Sequence, residues 1–122
     1  MSKKTAIIGA TPHTSRFAYL AAERLTSYHH EIVPLGIRKG NIFGKEIMQL
    51  SDQPEIPNID TMTLYINPDH QKEWEDYLLS LSPKRIIFNP GTENPDLARR
   101  AANQGIETVN GCTLVMLSSS TY

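Results

Sequence analysis

Apolar and polar positions fall along the chain in short, clearly bounded blocks. Thr5-Ala6-Ile7-Ile8 is an apolar run stopped by Gly9, the pattern of a short buried strand. Phe17, Leu20, Ala21, Leu25 and Tyr28 follow at helical spacing, so this strand hands over to an amphipathic helix. Glu31-Ile32-Val33-Pro34-Leu35 reads as a second buried strand, with Pro34 marking its end because a central strand cannot spare an N–H. The stretch from Ile37 to Ile59, broken by Gly40, Gly44, Pro54 and Pro57, predicts a long loop holding one short extended piece near Gly44 to Met48.

Order returns at Thr61-Met62-Thr63-Leu64-Tyr65-Ile66, a β-branched and aromatic strand followed by Asn67-Pro68 as helix cap and first-turn proline. Trp74, Tyr77, Leu78 and Leu81 line one face of that helix and read as core; Pro83 ends it. Arg85-Ile86-Ile87-Phe88 is a fourth strand, closed by Asn89-Pro90-Gly91. Asn94-Pro95 opens a helix with Leu97, Ala98, Ala101 and Ala102 on one face, Gly105 caps it, and Ile106 to Val109 is a fifth strand. Gly111 to Leu117 is a last apolar segment, either a short helix or an added edge piece. Strands alternating with helical patterns predict α/β architecture, a small Rossmann-like doubly wound parallel sheet of about five strands with helices on both faces. The expected organisation is one domain over residues 1–117 and a polar tail over 118–122.

Composition adds limits. A length of 122 residues suits one domain, and 39% hydrophobic residues fill one core. Twelve Lys plus Arg against thirteen Asp plus Glu give a net charge of −1, so no global positive field gathers nucleic acid or anionic lipid. The lone cysteine, Cys112, forms no intrachain disulfide. Ala6-Ile7-Ile8 is too short for the core of a signal peptide and no apolar run is long enough to span a membrane. The expectation is a cytoplasmic protein with no membrane partner.

In such sheets ligands bind outside the carboxyl ends of the strands. The first loop there is Gly9-Ala10-Thr11-Pro12-His13-Thr14-Ser15, leading into a helix whose free N–H groups suit a phosphate, with hydroxyls at Thr11, Thr14 and Ser15. Thr11 and Thr14 stand where a G-x-G-x-x-G dinucleotide fingerprint requires glycine. The alternative is that Thr14 or Ser15 caps the helix. The second loop, Gly36-Ile37-Arg38-Lys39-Gly40, sets two cations where Rossmann-like folds meet the adenosine ribose, which points to a phosphorylated ribose; its alternative is a solvated basic turn. Ile66-Asn67-Pro68 and Asn89-Pro90-Gly91 can each edge a pocket or serve only as cap and turn. Cys112 is expected to be a buried, inert thiol. His29-His30 has no spaced ligand partner and predicts no metal site, and Glu23, Glu73, Glu75 and Asp76 fall on solvent faces.

Together, Ala6 to Thr11 running into Ser15-Arg16-Phe17, His30 to Leu35, Thr63 to Pro68, Lys84 to Gly91, and Gly105-Ile106 to Cys112 resemble the small stand-alone CoA-binding proteins. Those proteins are similar to the CoA-binding domain of the succinyl-CoA synthetase alpha subunit. The resemblance implies that the first loop, with Gly9, Thr11, Pro12, His13, Thr14 and Ser15, takes a pyrophosphate. It implies that the end of the second strand at Pro34 and the basic turn Arg38-Lys39 take the 3′-phosphorylated ribose, and that Ile66, Asn67 and Pro68 flank the nucleotide. The chain departs from the family's common pattern at Pro12 and at Pro34-Leu35-Gly36. The expected function is a non-catalytic module that binds CoA or an acyl-CoA. The alternatives are an NAD(P)-binding, oxidoreductase-like protein with Arg38 on a 2′-phosphate, and a protein-interaction domain with a decayed nucleotide site. Of the histidines only His13 lies in a strand-end loop, and no carboxylate is placed in sequence to orient it, so no enzymatic role is expected.

Overall fold

The computed structural model describes residues 2–122. In chain order it contains β1 (Thr5–Ile8), α1 (Phe17–Ser27), β2 (Ile32–Gly36), β3 (Gly40–Ile42), β4 (Lys45–Gln49) and, after a 3-10 turn at Leu50–Asp52, β5 (Thr61–Leu64). There follow α2 (Pro68–Gln71), α3 (Glu75–Ser80), β6 (Arg85–Phe88), α4 (Pro95–Asn103), β7 (Glu107–Asn110) and α5 (Thr113–Ser118). The strands form one sheet in the order β3-β4-β2-β1-β5-β6-β7. All pairings are parallel except β3 with β4, which is antiparallel.

The sheet has seven strands where the sequence pattern predicts about five. The additional pair lies in the stretch read as a loop, where the extended piece near Gly44 to Met48 is β4 and the residues before it are β3. Phe43 (φ 48°) and Gly44 (φ 78°) make a two-residue turn with both residues left-handed, and Ile42 opposes Lys45 across it. That turn matches strand twist, yet phenylalanine stands where its first position usually has Asn, Asp or Gly, and only Ile42 and Ile47 of this ribbon are buried.

Pro34 also differs from expectation. It lies inside β2, a central strand, rather than at its end. The carbonyls of Glu31 and Leu35 accept from Thr5, Gly9 and Ala10 on the β1 side, so by alternation the nitrogen of Pro34 faces the β4 side. Pairing there begins only at Leu35 with Met48, and the missing donor has no ladder bond to break.

The helix expected after Asn67-Pro68 is two short ones. The chain leaves α2 at Gln71, whose buried side chain is drawn inward, and α3 restarts at Glu75 with Tyr77, Leu78 and Leu79 buried. The final apolar segment is the helix α5, not an edge strand. In α1 the buried stripe is Ala18, Ala21, Ala22 and Leu25, while Phe17 and Tyr28 are exposed. Small alanines let this helix lie close on the sheet, and the two aromatic ends project past it.

Side chains leave the strands with period two. Ala6, Ile8, Val33, Leu35, Met62, Leu64, Ile86 and Phe88 pack with α3 and α4 on one face, and Ile7, Ile32 and Ile47 pack with α1 and α5 on the other. Helices therefore cover both faces, as a doubly wound sheet requires. The residues after α5 turn back under the sheet's amino end, where the Tyr122 hydroxyl bonds that of Thr5 and the buried Arg85 guanidinium lies 4.6 Å from the Tyr122 ring.

Candidate functional site

A cleft of about 910 Å³ opens at the carboxyl ends of the strands. The side nearer β2 is built by the first loop and the β2–β3 turn. Gly9 and Ala10 both donate backbone N–H groups to the Leu35 carbonyl, at 2.8 and 2.9 Å, which pins this loop to the end of β2. Space is tight on both flanks. Gly9 has φ +100°, and a Cβ on it would stand 2.9 Å from Ile66 Cγ2; a Cβ on Gly36 would stand 2.5 Å from the Ala10 carbonyl oxygen. Glycine at both positions thus lets a strand end, a loop and a neighbouring strand approach at backbone distance.

After this constriction the chain enters α1 without a cap. Arg16 occupies the capping position in extended conformation, no side chain bonds back to the first turn, and the first turn contains no acidic residue. Neither Thr14 nor Ser15 caps the helix. The N–H groups of Phe17 and Ala18 have no acceptor among the described residues. Arg16, Arg38 and Lys39 line the same side and make no ion pair with any described residue. Phe17 and Ile37, 69% and 71% exposed, flank the opening.

The opposite side is lined by Tyr65, Ile66, Asn67, His70, Glu73 and Trp74 and by Pro90, Gly91 and Thr92. Here many polar groups are spent on one another. Asn67 accepts from the His70 N–H at 3.0 Å, capping α2. The Gln71 amide donates to the carbonyls of Ile66 and Thr92, both at 2.8 Å, and its oxygen accepts from Asn94 at 2.9 Å. The Thr92 N–H and hydroxyl both donate to the Asn89 carbonyl. Beneath them the Asn89 amide donates to Thr63 Oγ1 and the Leu64 carbonyl and accepts from the Thr113 N–H. Asn89 therefore ties β6 to β5 and α5 rather than merely closing a strand. Burial pushes the Tyr65 hydroxyl up to about 12; it lies beside the hydroxyls of Thr63 and Thr113 without a well-formed hydrogen bond to them.

Of the residues expected at the site, Gly9, Thr11, Pro12, His13, Arg38, Lys39, Ile66 and Asn67 line the cleft. Thr14, Ser15, Pro34 and Pro68 do not. Pro34 is buried in β2, and Pro68 is the first residue of α2. Cys112 is half-buried rather than enclosed, because it sits at the start of α5 beside the edge strand β7, and it does not line the cleft. Sequence reasoning missed Arg16, Phe17, Ile37, Glu73 and Trp74 as lining residues. Phe17 and Trp74 carried a helical apolar period that reads as core, whereas Arg16 adjoins the first loop and Ile37 lies inside the second, where the two cations beside it drew the reading.

A model of the CoA-binding domain matches residues 3–118. The chain belongs to the CoA-binding domain family. Membership supports CoA as the small-molecule ligand. A crystal structure of an uncharacterized protein superposes with a TM-score of 0.96 at 56% identity, over 100% of this chain and 99% of that one. A protein from Thermus thermophilus matches at 20% identity and TM-score 0.84, covering 99% of this chain and 91% of that one. A hypothetical protein from Pyrococcus horikoshii OT3 matches at 20% identity and TM-score 0.83, over 97% and 83%. These last two show the shared fold alone. None of the curated proteins matches the chain.

The residues present fit a phosphorylated ligand. Two N–H groups at a helix start without an acceptor and three cations without an ion-pair partner among the described residues line one cleft, and the glycine approach at Gly9 and Gly36 would not survive an added Cβ. No helix among the described residues is long and apolar enough to cross a membrane.

Proposed function

We propose that the protein holds CoA or an acyl-CoA and does not transform it. The observation that carries this reading is the contrast within one cleft between unclaimed phosphate donors and an absence of any assembled acid–base pair among the described residues. The free N–H groups of Phe17 and Ala18, with Arg16 and the Thr11 hydroxyl, would take the pyrophosphate. Arg38 and Lys39 would take the 3′-phosphate, with Ile66 and Asn67 against the nucleotide. CoA itself supplies a thiol. His13 is exposed, its backbone N–H donates to Thr11 Oγ1 at 3.2 Å, and its ring donates no orienting bond to a described carboxylate. Cys112 stands apart from the cleft.

The test is calorimetric binding of CoA, dephospho-CoA, NAD and NADP side by side, followed by incubation with acetyl-CoA. CoA is expected to bind about tenfold more tightly than dephospho-CoA, the size of one charge-assisted contact at the low end of its range. Acetyl-CoA is expected to be recovered intact. Tighter binding of NADP would favour the dinucleotide alternative, and turnover of acetyl-CoA that is lost in His13→Ala would overturn the non-catalytic reading.

A further inference from the structure

The cleft is electrically lopsided, and its two ends lie far apart. Along the sheet β2, β1, β5 and β6 are successive neighbours, so the β6 loop stands about 14 Å across from the basic turn at a strand spacing of about 4.8 Å. Cations and free donors occupy the β2 end. At the β6 end the backbone donors are already taken: Gly91 N–H donates to Glu93 Oε1 at 2.8 Å, Thr92 N–H to the Asn89 carbonyl at 2.9 Å, and Pro90 has none. Glu73 lines that end from the other loop and makes no ion pair with a described residue.

Resting on the reading that CoA binds with its phosphates at the basic end, we infer that the β6 end selects the acyl group by charge. It admits the free thiol and short neutral thioesters and disfavours acyl groups that end in a carboxylate. A carboxylate placed there meets Glu73 on the lining, approaches the Glu93 carboxylate that stands behind it on the Gly91 N–H, and finds no backbone donor in Pro90, Gly91 or Thr92. Trp74 beside Glu73 gives a neutral acyl chain an apolar surface instead. Because Glu73 and Glu93 are exposed, the repulsion acts through water-like dielectric, where two charges 4 to 6 Å apart correspond to about a threefold to sixfold change in affinity.

The experiment compares dissociation constants of CoA, acetyl-CoA and succinyl-CoA at pH 8, in about 50 mM and about 1 M salt. It uses the full chain and its double variant Glu73→Gln/Glu93→Gln, in which glutamine at 93 still accepts from Gly91. Expected are equal affinities for CoA and acetyl-CoA, succinyl-CoA about threefold to sixfold weaker at low salt, and a gap that closes in high salt and in the double variant. Succinyl-CoA binding as tightly as acetyl-CoA would overturn the inference while leaving CoA binding standing, as would a gap that neither salt nor the double variant reduces. Failure of CoA and acetyl-CoA alike would overturn the underlying reading, and the inference with it.

Discussion

The two sides of the cleft are built from similar material and finish in opposite states. On the β2 side a helix begins without a cap and three cations have no described ion-pair partner. On the β6 side Asn67 and Asn94 cap their helices and Gln71, Asn89 and Thr92 use their polar groups on one another. Unsatisfied donors at a helix start are a cost that a bound anion removes. Satisfied, buried amides stiffen a wall and have little left for a ligand. One side is therefore arranged to bind and the other to hold shape, and substitutions should separate stability from affinity along that line.

The largest effect is expected on the stiff side. Asn89→Leu leaves the Leu64 carbonyl and the Thr113 N–H without their buried partner. At about 1 to 3 kcal/mol for each orphaned group, partly relieved by relaxation, unfolding free energy should fall by about 3 kcal/mol. Urea titration checks it. A loss below about 1 kcal/mol would mean that the knot is ornamental and the comparison misdrawn.

Gly36→Ala sits on the seam between the two roles. Its Cβ would lie 2.5 Å from the Ala10 carbonyl, and backbone cannot step aside as a flexible side chain does. Displacement of the first loop should cost about 1 to 3 kcal/mol of stability and should also weaken CoA binding, which makes it the variant expected to lower both quantities together. Arg38→Ala should do the reverse of Asn89→Leu. Its side chain is exposed and makes no ion pair with a described residue, so stability should move by less than about 0.5 kcal/mol, while the roughly tenfold preference for CoA over dephospho-CoA disappears. Unchanged preference would remove Arg38 from the phosphate site.

Sequence made one of these sides more legible than the other. The buried runs at Thr5–Ile8, Thr61–Leu64 and, after Arg85, Ile86 to Phe88 are apolar or β-branched throughout, and parallel order follows from the helices between them. Given that order, the loops at the strand ends are fixed as the ligand face, and the basic turn and first loop could be singled out. The hairpin of β3 and β4 escaped because its only strong apolar anchors are Ile42 and Ile47 and its turn is Phe-Gly. The polar knot escaped for a different reason. Asn-Pro pairs announce caps, but that Asn89 would reach β5 and α5, or that Gln71 would be buried between Ile66 and Thr92, depends on contacts 5 to 26 residues apart that no local pattern encodes.

A last prediction uses the far end of the sheet as the reference for both sides. His30 lies there, with Nδ1 accepting the Lys3 backbone N–H at 2.9 Å and its ring 4.9 Å from that of Tyr122. Burial first, then the nearby charges of Lys3 and Arg85, hold its pKa below 6.5, with Asp60 opposing. A folded-state pKa below the unfolded one means that the unfolded chain binds the proton more readily in this window. Stability is therefore full above pH 6.5 and declines as pH falls from there through the folded pKa. The ring is partly exposed, so solvent screening makes this the smallest of the expected effects. His30→Asn keeps an acceptor for the Lys3 N–H and removes the titration. Urea midpoints from pH 8 to pH 5 should show a downward step in the parent that is absent in the variant, while the CoA to dephospho-CoA affinity ratio is the same in both proteins at each pH. A step of equal size in His30→Asn would assign the titration to another group. A change in the affinity ratio would mean that the amino end of the sheet is coupled to the cleft, and the division between a binding side and a shape-holding side would then have to include it.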